Sequence, residues 1–287
     1  ISISVGISGL STATAVYHPN QLISHARQAC NMAKENGRNL VWIYNEQDAS
    51  VQKHRRDIYW VPLIKKALAE NNFFLVFQPI VDLRSGDISH YETLIRMRGG
   101  DGEYIPPVDF IPVAERMGLI HSIDLWVVEN AIDSLAKFSS NMSDVSLSIN
   151  LSSVAFQDHS LLPTIKEKLE LTWVDAKRIT FEITETAAIE NFEKTRDMIT
   201  KIRALGCQFA LDDFGAGFCS FNYLKTFPVD YVKIDAQFIH NLVNDKTDQV
   251  LVKSMAELAT RLGKKTIAEF VDTPETIEKL RELGIDY

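Results

Sequence analysis

The chain has 287 residues, of which 46% are hydrophobic, and it carries a formal net charge of -8 at pH 7. This length and apolar content suffice for one large domain with a packed core and a smaller piece beside it. The acidic balance argues against binding to nucleic-acid polymers, which favour a basic face, but it allows a small anionic ligand where metals or a local arginine reverse the field.

The cysteines and the hydropathy pattern indicate a reducing, aqueous environment. Cys30, Cys207 and Cys219 show neither CxxC nor Cys/His spacing, so we interpret them as buried or half-buried thiols. The sequence has no apolar stretch long enough to cross a bilayer and no signal-peptide pattern at its start. We therefore predict a soluble, cytoplasmic chain without membrane contact of its own, although the parent protein can be membrane-anchored through other segments.

The first 45 residues predict a strand, a helix and a second strand. The segment ISISVGIS alternates like a half-buried strand, a helical pattern runs from about Pro19 to Gly37, and RNLVWIY is typical of a strand. Three such elements enclose little core, so we expect residues 1–45 to be the tail of a domain that begins upstream. Residues 46–57 are polar and charged, which favours a helical linker.

From residue 58 onward, strand-like runs alternate with amphipathic helical segments, which predicts a (β/α) barrel. The first two runs are separated only by DLRSGD, so the barrel should start with an antiparallel pair. Seven strands are present where eight close a barrel, and we expect the last strand to be cut off at Tyr287. The runs span residues 73–80, 89–96, 145–151, 179–185, 208–214, 231–235 and 264–271.

One polar residue or pair closes most of these runs. Because the carboxyl ends of barrel strands meet at one rim, we expect these side chains to converge. Uncompensated carboxylates would raise one another's pKa values, and oxygen donors without His or Cys favour Mg²⁺, Mn²⁺ or Ca²⁺ over Zn²⁺. The set comprises Glu92, Asn150, Glu182, Asp212, Asp213 and Glu269, with Lys233 between the last two.

The pair Asp212-Asp213 is the densest local signal, because a glycine-containing turn follows it. Adjacent carboxylates can serve two ions when one of them bridges. A lone stretch of this kind would equally fit an Asx turn with a helix cap. The other polar strand ends favour the metal interpretation.

Other polar residues allow two interpretations each. Lys233 and Asp235 share a strand face, either as a salt bridge or as a group that balances charge and orients water. Arg96 has a planar fork suited to a phosphate, but a buried ion pair is the alternative. Gln78 can contact a base or ribose edge or be a rim residue. Glu185 lies on the opposite face from Glu182 and is expected to hold a neighbouring loop.

These residues lie in motifs that resemble those of the EAL domain family of cyclic di-GMP phosphodiesterases. The motifs run in order from about residue 58 to the end, preceded by SISVGIS and AKENGRN, which resemble the closing strand and helix of a GGDEF domain. In order, they are FQPIVDL, YETLIR, FIPVAERMGLI, SINLS, FEITET, LDDFGAGF, FPVDYVKID and IAEFV.

The resemblance implies a (β/α)8-type TIM barrel at residues 58–287 that hydrolyses cyclic di-GMP to linear 5'-pGpG in bacterial second-messenger signalling. It also implies two Mg²⁺ or Mn²⁺ ions per site, Ca²⁺ as an inhibitory ion, and a homodimer formed through the barrel. By motif position, the first ion would take Glu92, Asn150, Glu182 and Asp212, and the second would take Asp212, Asp213 and Glu269.

The resemblance further implies roles for side chains around the ions. Lys233 would contact the water, Gln78, Arg96 and Asp235 would contact substrate, and Glu185 would support the loop from Phe214 to Phe221, which often joins a dimer interface. The chain departs from the usual motifs at Thr93, Phe270 and Asp272, and at Arg27 and Cys30-Asn31 in the GGDEF-like part.

Two other functions remain as alternatives. One is a degenerate EAL domain that binds cyclic di-GMP and signals by contact without cutting it. A receptor has no need of the complete ligand set, so this alternative is less favoured. The other is an unrelated Mg²⁺ barrel lyase with Lys233 as its base, which leaves Arg96 and the glycine-containing loop unexplained.

Overall fold

The computed structural model describes residues 3–9, 19–35, 38–45, 49–100, 102–139, 145–216 and 221–287. The chain divides into two compact units. The first comprises Ile1–Lys66 and Phe110–Met117, and the second comprises Ala67–Asp109 and Gly118–Tyr287.

The first unit contains the predicted strand, helix and strand. Strand β1 (Val5–Ile7), helix α1 (Pro19–Glu35) and strand β2 (Val41–Ile43) form a β-α-β arrangement in which β1 and β2 are parallel. A Cβ atom at Gly6 would lie 2.1 Å from the carbonyl oxygen of Ala26 in α1, so only glycine allows this close approach. Helix α2 (Ala49–Ala69) covers most of the predicted helical linker, and residues 46–48 lie outside the described residues.

The second unit is built on one sheet of eight strands. Its order is β10-β9-β8-β7-β6-β4-β3, and β5 pairs separately with β4. The strands are β3 (Phe73–Val81), β4 (Ile88–Arg98), β5 (Tyr104–Ile105), β6 (Leu147–Asn150), β7 (Ile179–Thr184), β8 (Gln208–Phe214), β9 (Tyr231–Ile234) and β10 (Lys265–Ala268). The antiparallel β3-β4 pair and the parallel run from β4 to β10 agree with the prediction, whereas β5 was not predicted.

The described strands form a half-barrel sheet of the TIM-barrel type, in which β10 and β3 are not paired with each other. Residues 285–287 lie along β10 instead: Tyr287 donates its N–H to the carbonyl of Thr266 at 3.0 Å and accepts one from Ala268 at 2.9 Å. The carbonyl of Asp286 accepts the N–H of Leu83, beyond the end of β3, at 2.9 Å. This segment therefore lies where the expected last strand would begin.

Helices alternate with the parallel strands, and side chains cap the start of several of them. Asp245 accepts hydrogen bonds from the N–H groups of Thr247 and Asp248 at the start of α9 (Lys246–Arg261), and Thr273 caps α10 (Pro274–Leu283) ahead of Pro274. The helices are α3 (Pro107–Arg116), α4 (Ile120–Ser139), α5 (Leu161–Thr172), α6 (Glu185–Glu190), α7 (Phe192–Ala204), α8 (Phe221–Thr226), α9 (Lys246–Arg261) and α10 (Pro274–Leu283). Among the described residues, none of the helices combines the length and the hydropathy of a membrane span.

The central strands are buried on both faces, which explains their nearly continuous apolar sequences. Phe181 in β7 and Phe209 in β8 are fully buried and their ring centroids are 5.7 Å apart. Replacing either ring by alanine would cost about 3–5 kcal/mol. The strands that carry the polar rim are thus held by a rigid apolar layer.

The amino ends of β8 and β9 are joined by Asp230. Its carboxylate accepts the N–H of Phe209 at 2.9 Å and forms an ion pair with Arg203 at the end of α7. Lys264 donates to the carbonyls of Phe227 and Val229 at 3.1 and 2.8 Å. These bonds fix the strands at the end opposite to the polar rim.

Cys207 provides a test of this packing. It precedes β8, its side chain is 3% exposed, and burial raises the pKa of its thiol to about 12. Because the thiolate is the reactive form, we expect iodoacetamide at mildly alkaline pH to leave Cys207 unmodified in the folded protein and to modify it in guanidinium chloride. Peptide mass mapping measures both. Half-buried Cys30 serves as the internal comparison, and Cys219 lies outside the described residues. Equal labelling of Cys207 before and after unfolding would contradict the packing.

Candidate functional site

The centre of the site is the ammonium group of Lys233, which β9 holds inside the sheet. Its side chain is 1% exposed, and four carboxylates surround it. Nζ lies 2.7 Å from Glu182 Oε2, 2.7 Å from Glu269 Oε1, 3.3 Å from Asp212 Oδ2 and 3.5 Å from Glu92 Oε2. One ammonium group therefore gathers carboxylates that are up to 177 positions apart in the sequence, as the residue numbers of Glu92 and Glu269 show.

Glu182 is the most deeply buried of these carboxylates. It lies in β7, opposite Ala210 of β8, with a side chain that is fully buried. Its Oε2 accepts a hydrogen bond from Lys233, whereas its Oε1 is buried and accepts none. A buried carboxylate oxygen without a donor is costly, so this atom is suited to a cation.

Asp212 and Asp213 lie on a bulge in β8. The pairing with β9 shifts register between Leu211 and Phe214, and Asp213 has a φ of 54°, which is rare for a residue with a side chain. The N–H of Asp213 donates to Asp212 Oδ1 at 2.9 Å. The bulge brings two consecutive carboxylates to the rim, where a regular strand would direct them to opposite faces.

Three carboxylates approach the spacing of metal ligands. Within the described ranges, Asp212, Asp213 and Glu269 form the one group whose oxygens all lie within 4.8 Å of one another. The other predicted set does not form such a group: Glu92, Glu182 and Asp212 share Lys233 as their common partner. The ammonium charge occupies the position between them.

Glu92 does not close its strand, so the expectation that every ligand lies at a strand end was wrong at this position. It lies in the interior of β4, which runs on to Arg98. The reason is that β4 pairs with β6 only over Tyr91–Thr93 and then continues as the antiparallel partner of β3 and β5. Asn150, at the end of β6, donates its amide to Glu92 Oε1 at 2.9 Å and so joins the cluster.

The two predicted substrate residues on the hairpin share a sheet face with Glu92. Gln78 lies directly opposite Glu92 in the β3-β4 register, and Arg96 lies four residues further along β4, opposite Phe74. Arg96 donates to the carbonyl of Ile95 at 2.8 Å, so its guanidinium lies against the hairpin backbone. These residues extend the polar face beyond the carboxylates.

Glu185 and Asp235 hold the backbone around the bulge. Strand β7 ends at Thr184, which caps α6, so Glu185 begins a helix and is not the last strand residue. Glu185 Oε2 accepts the N–H of Gly215 at 2.9 Å, two residues after Asp213. The N–H of Asp235 donates to the carbonyl of Phe214 at 3.4 Å. Residues 217–220 of the loop assigned to Glu185 lie outside the described residues.

The electrostatics of the cluster favour additional positive charge. Burial alone lowers the pKa of Lys233, but Glu182, Asp212, Glu92 and Glu269 together hold it well above its usual value. Burial raises the pKa of Glu182 and of Glu269, and Lys233 offsets the rise only in part. Burial, and then the charges of Asp212 and Asp235, raise the pKa of Asp213. One lysine does not neutralise these acids.

Sequence analysis did not single out Asp124. This residue of α4 is 5% exposed, and its carboxylate accepts the hydroxyl and the N–H of Ser152 at 2.5 and 3.3 Å. Ser152 lies two residues after Asn150, so Asp124 holds the backbone next to a predicted ligand. The available signal was an acidic residue on the apolar face of a helix, in line with Ile120, Val127, Val128 and Ala131.

Similarity to known proteins identifies the family of the chain. The profile of the EAL domain family matches residues 63–287. The chain is 37% identical to the cyclic di-GMP phosphodiesterase PdeB of Shewanella oneidensis, over 99% of this chain and 33% of that protein. It is also 37% identical to the cyclic di-GMP phosphodiesterase PdeF of Escherichia coli, over 78% of this chain and 30% of that protein. The chain thus spans about a third of the length of these relatives.

Solved structures give the same assignment. The PaMucR phosphodiesterase in complex with c-di-GMP is 29% identical with a TM-score of 0.75, and the match covers 79% of this chain and 93% of that one. The FimX EAL domain from Pseudomonas aeruginosa, bound to c-di-GMP, is 31% identical with a TM-score of 0.74, covering 79% and 91%. The sheet order, the rim of carboxylates around Lys233 and these similarities lead to one conclusion: the chain belongs to the EAL domain family.

Proposed function

We propose that this chain hydrolyses cyclic di-GMP to linear 5'-pGpG. The observation that carries the proposal is the complete set of rim carboxylates around buried Lys233, in a member of the EAL domain family. Relatives with the same domain are named cyclic di-GMP phosphodiesterases. A site that only bound the ligand would have no need to keep five carboxylates together, so the receptor alternative is less favoured.

The residues present fit divalent cations, and we propose Mg²⁺ or Mn²⁺ as a pair. The fit is supported by the 4.8 Å grouping of Asp212, Asp213 and Glu269 and by the unpartnered, buried Oε1 of Glu182. All donors are oxygen atoms, which these hard ions prefer. Glu92, Asn150, Glu182 and Asp212 would hold one ion, and Asp212, Asp213 and Glu269 would hold the other. Ca²⁺ should occupy the same oxygen donors without supporting turnover.

The reaction requires an in-line displacement at phosphorus. A water molecule loses one proton as its oxygen bonds to phosphorus, the bond between phosphorus and the ribose 3' oxygen breaks, and that oxygen takes up one proton, so the step neither consumes nor releases a proton overall. When bound, divalent cations would lower the pKa of the attacking water and stabilise the leaving oxygen.

The side chains of this chain bind and orient the reactants. Lys233 stays protonated, and one of its N–H groups donates a hydrogen bond that orients the attacking water. Arg96 binds a phosphate oxygen with its planar fork, and Gln78 and Asp235 bind polar edges of the nucleotide. Glu185 keeps the backbone at Gly215 in place beside Asp213.

The domain identity of the first residues, the oligomeric state and the location of this part of the protein are also proposals. We propose that residues 1–45 are the C-terminal part of a GGDEF-like domain, supported by their β-α-β arrangement. Residues 46–57 would link it to the barrel of 58–287. We also propose a homodimer formed through the barrel, and a cytoplasmic location for this part of the protein.

Turnover tests the proposal directly. With Mg²⁺ and cyclic di-GMP we expect 5'-pGpG as the product, identified by chromatography and mass spectrometry. Asp212→Asn should lower kcat/KM by roughly a hundredfold or more, because this carboxylate faces both proposed ions. Asp197→Asn, which alters an exposed pair with Lys201, is the matched control and should retain activity. Tight binding of cyclic di-GMP without any linear product would reject hydrolysis in favour of the receptor.

Metal binding has its own readout in the melting temperature. Mg²⁺ or Mn²⁺ should raise the Tm in a saturable way, because an ion that binds only the folded state stabilises it. The raised pKa values of Glu182, Asp213 and Glu269 mean that protons compete with the ion. The rise should therefore be smaller at mildly acidic than at mildly alkaline pH. An equal rise in Asp213→Asn would argue against the proposed ligands.

Removing the central ammonium should destabilise the protein when no divalent ion is present. Lys233→Met leaves the buried acids without their common partner, which should lower the free energy of unfolding by about 3–5 kcal/mol in urea with a chelator. Mg²⁺ should recover more of the stability of this variant than of the unsubstituted protein. The control Lys201→Met removes an exposed pair and should stay within about 0.5 kcal/mol. A Lys233→Met protein as stable as the control would disprove the central role of this lysine.

A further inference from the structure

Phe270 combines two features that are unfavourable for a phenylalanine. Its backbone φ is 59°, in the left-handed region that residues with a side chain rarely adopt, and its side chain is 64% exposed. No buried contact compensates for this conformation at an exposed position. Strained residues of this kind cluster at functional sites, where an observed outlier is a fair starting point for a functional hypothesis.

The ring lies at the rim of the site. Phe270 directly follows Glu269, whose Oε1 is 2.7 Å from Lys233 Nζ, and both residues come after the carboxyl end of β10. Its ring contacts the imidazole of His240, with centroids 4.5 Å apart and planes tilted by 58°. His240 lies in the segment that follows the carboxyl end of β9, the strand of Lys233. The two loops that support the ring are thus the loops next to the central lysine.

We propose that Phe270, supported by His240, is a stacking platform for one guanine base of the dinucleotide. The inference rests on the proposed function. Every base has a flat π face, and an exposed aromatic ring beside a phosphodiester site is a common way to bind it. The left-handed backbone lets the chain turn directly after Glu269, so the same short segment supplies a carboxylate to the centre and a ring to the rim.

Trp173 provides a matched comparison within the chain. It has a φ of 58° and is 91% exposed, so it shares both features of Phe270. It follows α5, ahead of the amino end of β7, and therefore lies at the other end of the strands from the carboxylate rim. A Trp173→Leu variant changes an exposed ring in the same backbone conformation without touching the site.

The test compares two phosphodiesters in the Mg²⁺-loaded protein. Phe270→Leu should raise KM for cyclic di-GMP by about tenfold, the size expected for one lost base stack, with little change in kcat. The same variant should cleave an abasic 3'–5' ribose phosphodiester, which has no aromatic ring, at an unchanged rate. Phe270→Tyr keeps a ring and should restore KM to within about twofold. Trp173→Leu should alter neither substrate.

Two results would overturn the platform. An unchanged KM in Phe270→Leu would show that the ring makes no useful contact with the base. An equal loss for both diesters would show that Phe270 acts through Glu269 and not on the nucleotide. If the unsubstituted protein fails to cleave cyclic di-GMP, hydrolysis itself is rejected, and the platform is then judged by calorimetric binding of cyclic di-GMP with Ca²⁺, where an unchanged Kd in Phe270→Leu again overturns it.

Discussion

The structure of this site depends on one buried ammonium group held among acids. Burying the charged Lys233 side chain away from water is unfavourable by itself, and so is burying the charged Glu182 side chain. The attraction between the two charges, 2.7 Å apart, offsets this cost of desolvation. The lysine also contacts Glu92, Asp212 and Glu269. It therefore holds together side chains from β4, β7 and β8 and from the residue that follows β10. The negative charge that remains favours additional positive charge at this point.

The sheet brings these residues together by departing from regular geometry at chosen positions. The bulge in β8 directs both Asp212 and Asp213 toward the rim, and Glu185 ties the following turn at Gly215 to the start of α6. The antiparallel β3-β4 hairpin extends beyond the residues of β4 that pair with β6. Gln78, Glu92 and Arg96 therefore lie on one face of the hairpin. The irregular elements carry the site, while buried aromatic residues such as Phe181 and Phe209 keep the regular strands in place.

The geometry also relates the chain to its relatives. The chain corresponds to about a third of the length of its relatives PdeB and PdeF. The β-α-β arrangement at the start belongs to the compact unit that comprises Ile1–Lys66 and Phe110–Met117. Glu269 contacts Lys233 at the rim, and the next residue in the chain is Phe270 with its exposed ring.

Much of this arrangement follows from the sequence by itself. The alternation of apolar runs and helical segments determined the strand order and the antiparallel start, because periodicity and short connections act locally. Polar residues after apolar runs predicted the rim, and oxygen-only donors predicted hard cations. Three features depended on tertiary contacts. The four carboxylates around Lys233 come together only in the folded chain. Glu92 lies within β4, which is longer than the parallel strand β6 beside it. Asp124 of α4 contacts Ser152, which follows β6. The bulge at Asp213 was likewise decided by the fold, because hydrogen bonds around it hold a backbone that local preference disfavours.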